Sequence, residues 1–266
     1  MNLPVFWVDA FTARAFGGNP AGVVPLEHWL PADVMQRIAC EHGLSETAFF
    51  VRTGPDRCAL RWFTPAVEVD LCGHATLATA FTLFTQLGQP GDRVIFDSRS
   101  GPLPVARRDG GWFELDFPAT PPAPEEDPAA AGRAAAALGQ APVWLGRTRF
   151  DPFAVLADAD AVRALRPDPV RVAALGGRGL IVTAAGGGDG DFVSRFFAPQ
   201  SGIPEDPVTG SAHCALVPYW SARLGRTALR ARQVSARGGE LRCEHRGDRV
   251  GIAGQAALYL RGEISL

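Results

Sequence analysis

The sequence lacks the cysteine pattern that would staple a small domain. Its five cysteines, Cys40, Cys58, Cys72, Cys214 and Cys243, are odd in number and scattered, which suits a reducing compartment and argues against a disulfide framework. A basic stripe is also missing. The formal net charge is −2, so binding to nucleic acid through its phosphates is not expected. The N-terminal residues Met1-Asn2-Leu3-Pro4-Val5-Phe6-Trp7-Val8-Asp9 have no basic n-region and meet an acid early, and they read as a first strand instead of a signal peptide. No uncharged run is long and apolar enough for a bilayer. The expectation is a soluble, cytoplasmic protein with no membrane partner. Gly186-Gly187-Gly188-Asp189-Gly190 is not followed by Gly-Lys-Ser/Thr, which removes a phosphate loop. There is no Gly-x-Ser-x-Gly elbow for a serine hydrolase. Cys72-Gly73-His74 and His213-Cys214 invite a zinc reading, but no Cys-x-x-Cys or His-x-x-x-His spacing supports it, so no metal is expected.

What remains is a 266-residue chain in which 47 % of residues are hydrophobic, enough to fill one large core or two of about 130 residues each. Residues 5–10 read as a strand that leads into the turn-rich Gly17-Gly18-Asn19-Pro20-Ala21-Gly22. A helix is predicted from Pro31 to Glu41, with Val34, Met35 and Ile38 on one face and Gly43 just past its end. Residues 45–51 and 58–63 read as strands. Residues 73–88 contain no Asp, Glu, Lys or Arg and show no polar face, so a helix there must be buried on all sides. Residues 118–128 shift to Pro, Ala and acid, the composition of a linker, and an alanine-rich helix follows, ending at Gly139. Strands are expected at 153–156, 180–184 and 192–197, with short helices at 160–165 and 170–175. Short strands follow Gln233, with turns at Gly238-Gly239 and Gly247-Asp248.

The two halves repeat. Arg61-Trp62-Phe63-Thr64-Pro65 matches Arg195-Phe196-Phe197-Ala198-Pro199, and Asp70-Leu71-Cys72-Gly73-His74-Ala75 matches Asp206-Pro207-Val208-Thr209-Gly210-Ser211-Ala212. Each half reads as strand, Pro-containing loop, Gly and buried helix. Two domains are therefore expected, 1–118 and 128–252, with 253–266 a final strand able to return to the first.

A buried helix that begins at Gly73, and another at Gly210, would each offer unpaired backbone N–H groups to an anion, and Gly lets a ligand approach closely. Facing each other across an interdomain cleft, they would suit a small carboxylate; equally, both glycines could do no more than ease a loop-to-helix turn. Glu46 opens the apolar segment Thr47-Ala48-Phe49-Phe50. Partial desolvation there would raise its pKa toward the range useful for acid/base work, whereas a strand-edge carboxylate in water would do nothing. His74 falls at a helix start, where the positive dipole end favours neutral imidazole; a satisfied core histidine is the other reading. Asp206 and Ser211 are candidates that could equally be a turn carboxylate and a helix-start hydroxyl.

These same residues resemble the phenazine-biosynthesis-like (PhzF-like) family. The likeness runs in order through Asp9-Ala10-Phe11, Gly18-Asn19-Pro20-Ala21-Gly22, Leu44-Ser45-Glu46-Thr47-Ala48-Phe49, Phe63-Thr64-Pro65, Asp70-Leu71-Cys72-Gly73-His74-Ala75-Thr76 and Gly202-Ile203-Pro204-Glu205-Asp206-Pro207-Val208-Thr209-Gly210-Ser211-Ala212. The last motif is the most specific. The resemblance implies an α+β, diaminopimelate-epimerase-like fold of two similar domains, each a mostly antiparallel sheet curled around a central helix. It further implies a homodimer, no metal or organic cofactor, and an isomerase that moves a proton on carbon of a small carboxylate-bearing substrate. In that likeness Glu46 matches the acid/base, His74, Asp206 and Ser211 match residues that assist or bind substrate, and Asn19 lies in a loop that lines the cleft. Epimerase relatives use two thiols, one from each half. Here Cys72 falls near the first position, but Pro207 stands at the second and Cys214 lies a helical turn too late, which disfavours a two-thiol racemase. An amino-acid racemase or epimerase, and a ligand-binding protein without turnover, stand as the alternatives.

Overall fold

A computed structural model describes residues 1–266. It divides into one unit made of Met1–Phe117 and Ile252–Leu266 and a second made of Pro118–Gly251.

In the first unit β1 (Asn2–Ala10) and β2 (Asn19–Leu26) form an antiparallel pair, and α1 (Ala32–His42) carries the chain to β3 (Glu46–Gly54), which runs parallel to β2. Pro31 caps α1 from outside instead of opening it, and Gly43 ends it at φ 62°, a left-handed value that Gly adopts without cost. Met35, Ile38 and Ala39 turn onto Leu3, Val24, Leu26, Phe49 and Phe63. β4 (Arg57–Phe63) returns antiparallel to β3, and the two-residue β5 (Glu68–Val69) folds back on its end.

Next comes α2 (Gly73–Gln86), which packs against β1, β2 and β3. Ten of its fourteen residues are buried, so its polar groups must be satisfied from within. They are: Thr76, Thr79, Thr82 and Thr85 each donate a hydroxyl hydrogen bond to the carbonyl four residues earlier, at 2.5–2.9 Å. A chargeless segment with four threonines is thereby fit for a helix surrounded by protein. β6 (Arg93–Ser98), β7 (Gly101–Arg108) and β8 (Trp112–Pro118) complete the run, with β6 parallel to β4 and the others antiparallel to their predecessors.

The second unit repeats this plan. β9 (Ala123–Pro124) pairs with β10 (Trp144–Arg147), with α3 (Ala130–Leu138) between them; β10 is antiparallel to β11 (Pro152–Val155). Two short helices, α4 (Ala159–Ala164) and α5 (Pro169–Ala174), replace α1 before β12 (Leu180–Ala185), which is parallel to β11. β13 (Phe192–Ala198) returns antiparallel and β14 (Ile203–Asp206) folds back on it. The buried α6 (Gly210–Leu224) follows, then β15 (Ala228–Gln233), parallel to β13, β16 (Gly239–Arg246) and β17 (Arg249–Gly254). β18 (Ala256–Ser265) goes back to the first unit and pairs antiparallel with β1. The alternation of parallel and antiparallel steps from β2 to β7 is therefore the one from β11 to β16.

The stretch 118–127 departs from its expected role as a linker, because it is built into the second unit. Pro218 inside α6 has no N–H to give to the carbonyl of Cys214. The N–H of Thr120 takes its place at 2.9 Å, and Ala123-Pro124 forms β9.

Candidate functional site

β2 and β3 start side by side, because they are parallel with Ala21 opposite Glu46. The first turn of α2 comes to this shared end, and three sequence candidates meet there. Asn19 Nδ2 donates to His74 Nδ1 at 3.2 Å. That leaves Nε2 as the protonated nitrogen of the neutral ring, and Nε2 lies 3.2 Å from Glu46 Oε2. Their approach is close but off-line for a hydrogen bond, since both atoms are buried without a hydrogen-bond partner. Charge attraction is what it supplies. Glu46 keeps a side-chain exposure of 19 % against 6 % for His74, so the carboxylate is the member of the pair that a ligand can reach. Gly73, the fourth candidate here, is the first residue of α2; by helix geometry its N–H and that of His74 have no partner within the helix.

A residue outside the expected set completes the cluster. Cys72, the N-cap of α2, has its Sγ 3.6 Å from His74 Nδ1. Burial pushes the Cys72 thiol pKa up and the Glu46 charge adds to this. Burial alone would lower the pKa of His74, but the Cys72 sulfur and the Glu46 carboxylate outweigh it and hold the imidazole well above its ordinary value. The contacts with Cys72 and Glu46 thus act against the helix dipole, which favours the neutral ring. Glu46, Cys72 and His74 each offer an atom within 4.8 Å of the others.

The remaining candidates, Asp206, Gly210 and Ser211, lie together in the second unit, where β14 passes into α6. Thr209 is the N-cap of α6, yet its hydroxyl does not cap; it donates to Asp206 Oδ2 at 2.5 Å. Gly210 and Ser211 open the helix, Ser211 half-buried. Sequence reasoning missed the side chain that fixes this turn. Gln233, fully buried, accepts from Thr209 N at 2.8 Å and donates to the Asp206 carbonyl at 2.8 Å. The signal was present: in β15 exposed and buried residues alternate, and Gln233 takes an inward position after Leu229 and Ala231. His213 lies deeper, its Nδ1–H donated to the Thr209 carbonyl at 2.8 Å, and burial lowers its pKa to about 4.

One device recurs in both units. Arg61 forks Glu68 through Nε and Nη2 at 2.7 and 2.8 Å, and Arg195 forks Glu205 through the same atoms at the same distances. Each guanidinium also lies over a ring, Phe63 at 5.1 Å and Phe197 at 4.6 Å. The forks clamp β5 to β4 and β14 to β13, and so hold the segments that deliver Cys72-Gly73-His74 and Thr209-Gly210-Ser211 to the helix starts.

The family profile described as phenazine biosynthesis-like protein matches residues 8–262. An uncharacterized isomerase of Pseudomonas aeruginosa is 53 % identical over the full length of both chains. A crystal structure of a phenazine biosynthesis protein of the PhzF family from Enterococcus faecalis superposes with a TM-score of 0.95 at 49 % identity, again covering all of both chains. At 12 % identity, a hydroxyproline epimerase from Agrobacterium vitis shares the fold, with a TM-score of 0.61 over all of this chain and 93 % of that one. The mixed, sheet-dominated architecture is thus that of PhzF proteins and epimerases, and several of its relatives are named isomerases. The chain belongs to the phenazine biosynthesis-like protein family.

Proposed function

We propose that the protein is a cofactor-independent isomerase that shifts a proton between carbons of a small carboxylate-bearing substrate, with Glu46 as the general acid/base. The observation behind this is the Glu46 carboxylate itself: Oε2 is buried without a hydrogen bond, beside an imidazole whose pKa is raised. In the proposed step Glu46 takes a proton from one carbon. The electron pair of the broken C–H bond spreads into the conjugated carboxylate, and Glu46 returns the proton to another carbon. No electrons are gained or lost, so no redox partner is needed. The Nε2–H of His74 supplies a donor for the negative charge that develops, with Asn19 holding the ring at Nδ1. The N–H groups of Gly73 and His74 suit the substrate's anionic group. Asp206, Gly210 and Ser211 are assigned to substrate binding, with Asp206 assisting catalysis.

A second reading has its own observation. Cys72 Sγ contacts His74 Nδ1, so a thiol could carry the proton in a racemase or epimerase. Its upward-shifted pKa weighs against this, since a neutral thiol is a poor base.

The test is hydrogen exchange. Wild-type protein is incubated in deuterated water with a panel of cyclic and amino-acid carboxylates. Catalysis puts deuterium on carbon; an isomerase yields a positional isomer and a racemase the enantiomer. Binding without exchange by any member would leave only a ligand-binding protein.

A further inference from the structure

Both buried helices start without a side-chain cap, and in each case the residue before the first glycine turns its side chain elsewhere. In α2 that residue is Cys72, whose Sγ meets His74 Nδ1 at 3.6 Å. In α6 it is Thr209, and here the missing cap is unexpected. Threonine is favoured at an N-cap because its oxygen can accept from an N–H of the first turn. Thr209 has the extended backbone that capping needs, φ −111° and ψ 98°. Its hydroxyl is engaged off the helix. It donates to Asp206 Oδ2 at 2.5 Å and accepts from Gln233 Nε2 at 3.2 Å.

Gln233 sets the direction of these bonds. Its Oε1 accepts from Thr209 N at 2.8 Å, so the other end of the amide is the NH2 group. One of its hydrogens goes to the Asp206 carbonyl at 2.8 Å and the second to Thr209 Oγ1. A hydroxyl carries a single hydrogen. With Gln233 donating to the oxygen, that hydrogen is directed to the Asp206 carboxylate. The Thr209 carbonyl is held as well, by His213 Nδ1 at 2.8 Å.

We infer that Thr209 is a positioning residue for Asp206, its hydroxyl aimed by Gln233. A cap would spend the hydroxyl on the helix. Here it holds one carboxylate oxygen in place, and the first-turn N–H groups of α6 are not taken by it. The role of Thr209 rests on that of Asp206 in the proposed isomerase.

Deuterium incorporation on carbon tests it, measured per folded molecule with a carboxylate from the panel that wild type exchanges. Thr209→Val keeps the branched shape and removes the hydroxyl. The exchange rate is expected to fall about 10- to 100-fold, the size of one hydrogen bond to a charged group. Thr209→Ser restores a hydroxyl and is expected to recover the rate to within about threefold of wild type. In an Asp206→Asn background, Thr209→Val is expected to cost less than about threefold more, because a residue that acts through Asp206 is not additive with its loss. A residue that only builds the helix would lower stability in every background and leave the rate per folded molecule unchanged. Thr209→Val exchanging like wild type, or losing as much in Asp206→Asn as in wild type, would overturn the positioning role and leave Asp206 its own. Asp206→Asn exchanging like wild type, or a wild type that exchanges no member of the panel, would remove the role of Asp206 and that of Thr209 with it.

Discussion

At the scale of single residues, the site candidates were legible because each is a chemistry-bearing group in a short apolar segment. Glu46 before Thr47-Ala48-Phe49-Phe50 is the clearest, and β3 is indeed buried on both faces just behind it. The partner of His74 was not legible, since it is a carboxylate twenty-eight positions earlier in the chain. His213 was read only as a doubtful metal ligand. Its burial has a consequence for stability. The folded-state pKa of about 4 lies below the ordinary 6.5, so between those values the unfolded chain binds a proton that the native one does not. Stability therefore falls as the pH drops through that window, by up to about 3 kcal/mol from this residue. Urea unfolding at about pH 7 and about pH 4 should show it, and His213→Phe should remove roughly that share of the loss. Equal losses in both proteins would contradict the assignment.

At the scale of elements, the repeat was visible in the sequence, because Arg-x-Phe before a Pro loop and Gly before a chargeless segment recur at matching places. What each arginine does was not visible, because its glutamate partner sits at a different spacing in each half, Glu68 seven residues on and Glu205 ten. The two forks differ in environment. The Arg195 side chain is 10 % exposed against 24 % for Arg61, and its Nη1 also donates to the Leu165 carbonyl at 2.9 Å just past α4. Removing one member of a buried pair typically costs about 3–5 kcal/mol, whereas an exposed pair is worth about 0–1 kcal/mol. Arg195→Ala is accordingly expected to lose about 3 kcal/mol or more in chemical denaturation. Arg37→Ala, which breaks the exposed pair with Asp33, should lose less than about 1 kcal/mol. Losses of similar size would show that the forks do not hold the loops.

At the scale of the whole molecule, the duplicated α+β architecture followed from the motifs, but the treatment of residues 118–127 did not. Proline-rich composition suggests a linker; the need of Cys214 for a donor, created by Pro218 far along the chain, ties the segment into the second unit. The return of residues 252–266 to the first unit has a consequence for dissection. Without β18 the long strand β1 loses one neighbour and Phe6 loses its cover from Arg261. Residues 1–117 alone are expected to show no cooperative thermal transition, while the same residues joined through a flexible linker to 252–266 should show one. A cooperative 1–117 fragment would mean that β18 is dispensable to that fold.

The central claim is that Glu46, and not Cys72, carries the proton. It is tested most directly by deuterium incorporation from solvent, measured for Glu46→Gln and Cys72→Ser against wild type on one substrate that exchanges. Glu46→Gln keeps the shape and removes the base, and loss of general acid–base catalysis is typically worth about 10²–10⁴-fold. The expected result is a fall of at least about a hundredfold for Glu46→Gln, with ligand affinity within about tenfold of wild type, and a much smaller fall for Cys72→Ser. Exchange that survives Glu46→Gln and disappears in Cys72→Ser would contradict the account and put the thiol in its place.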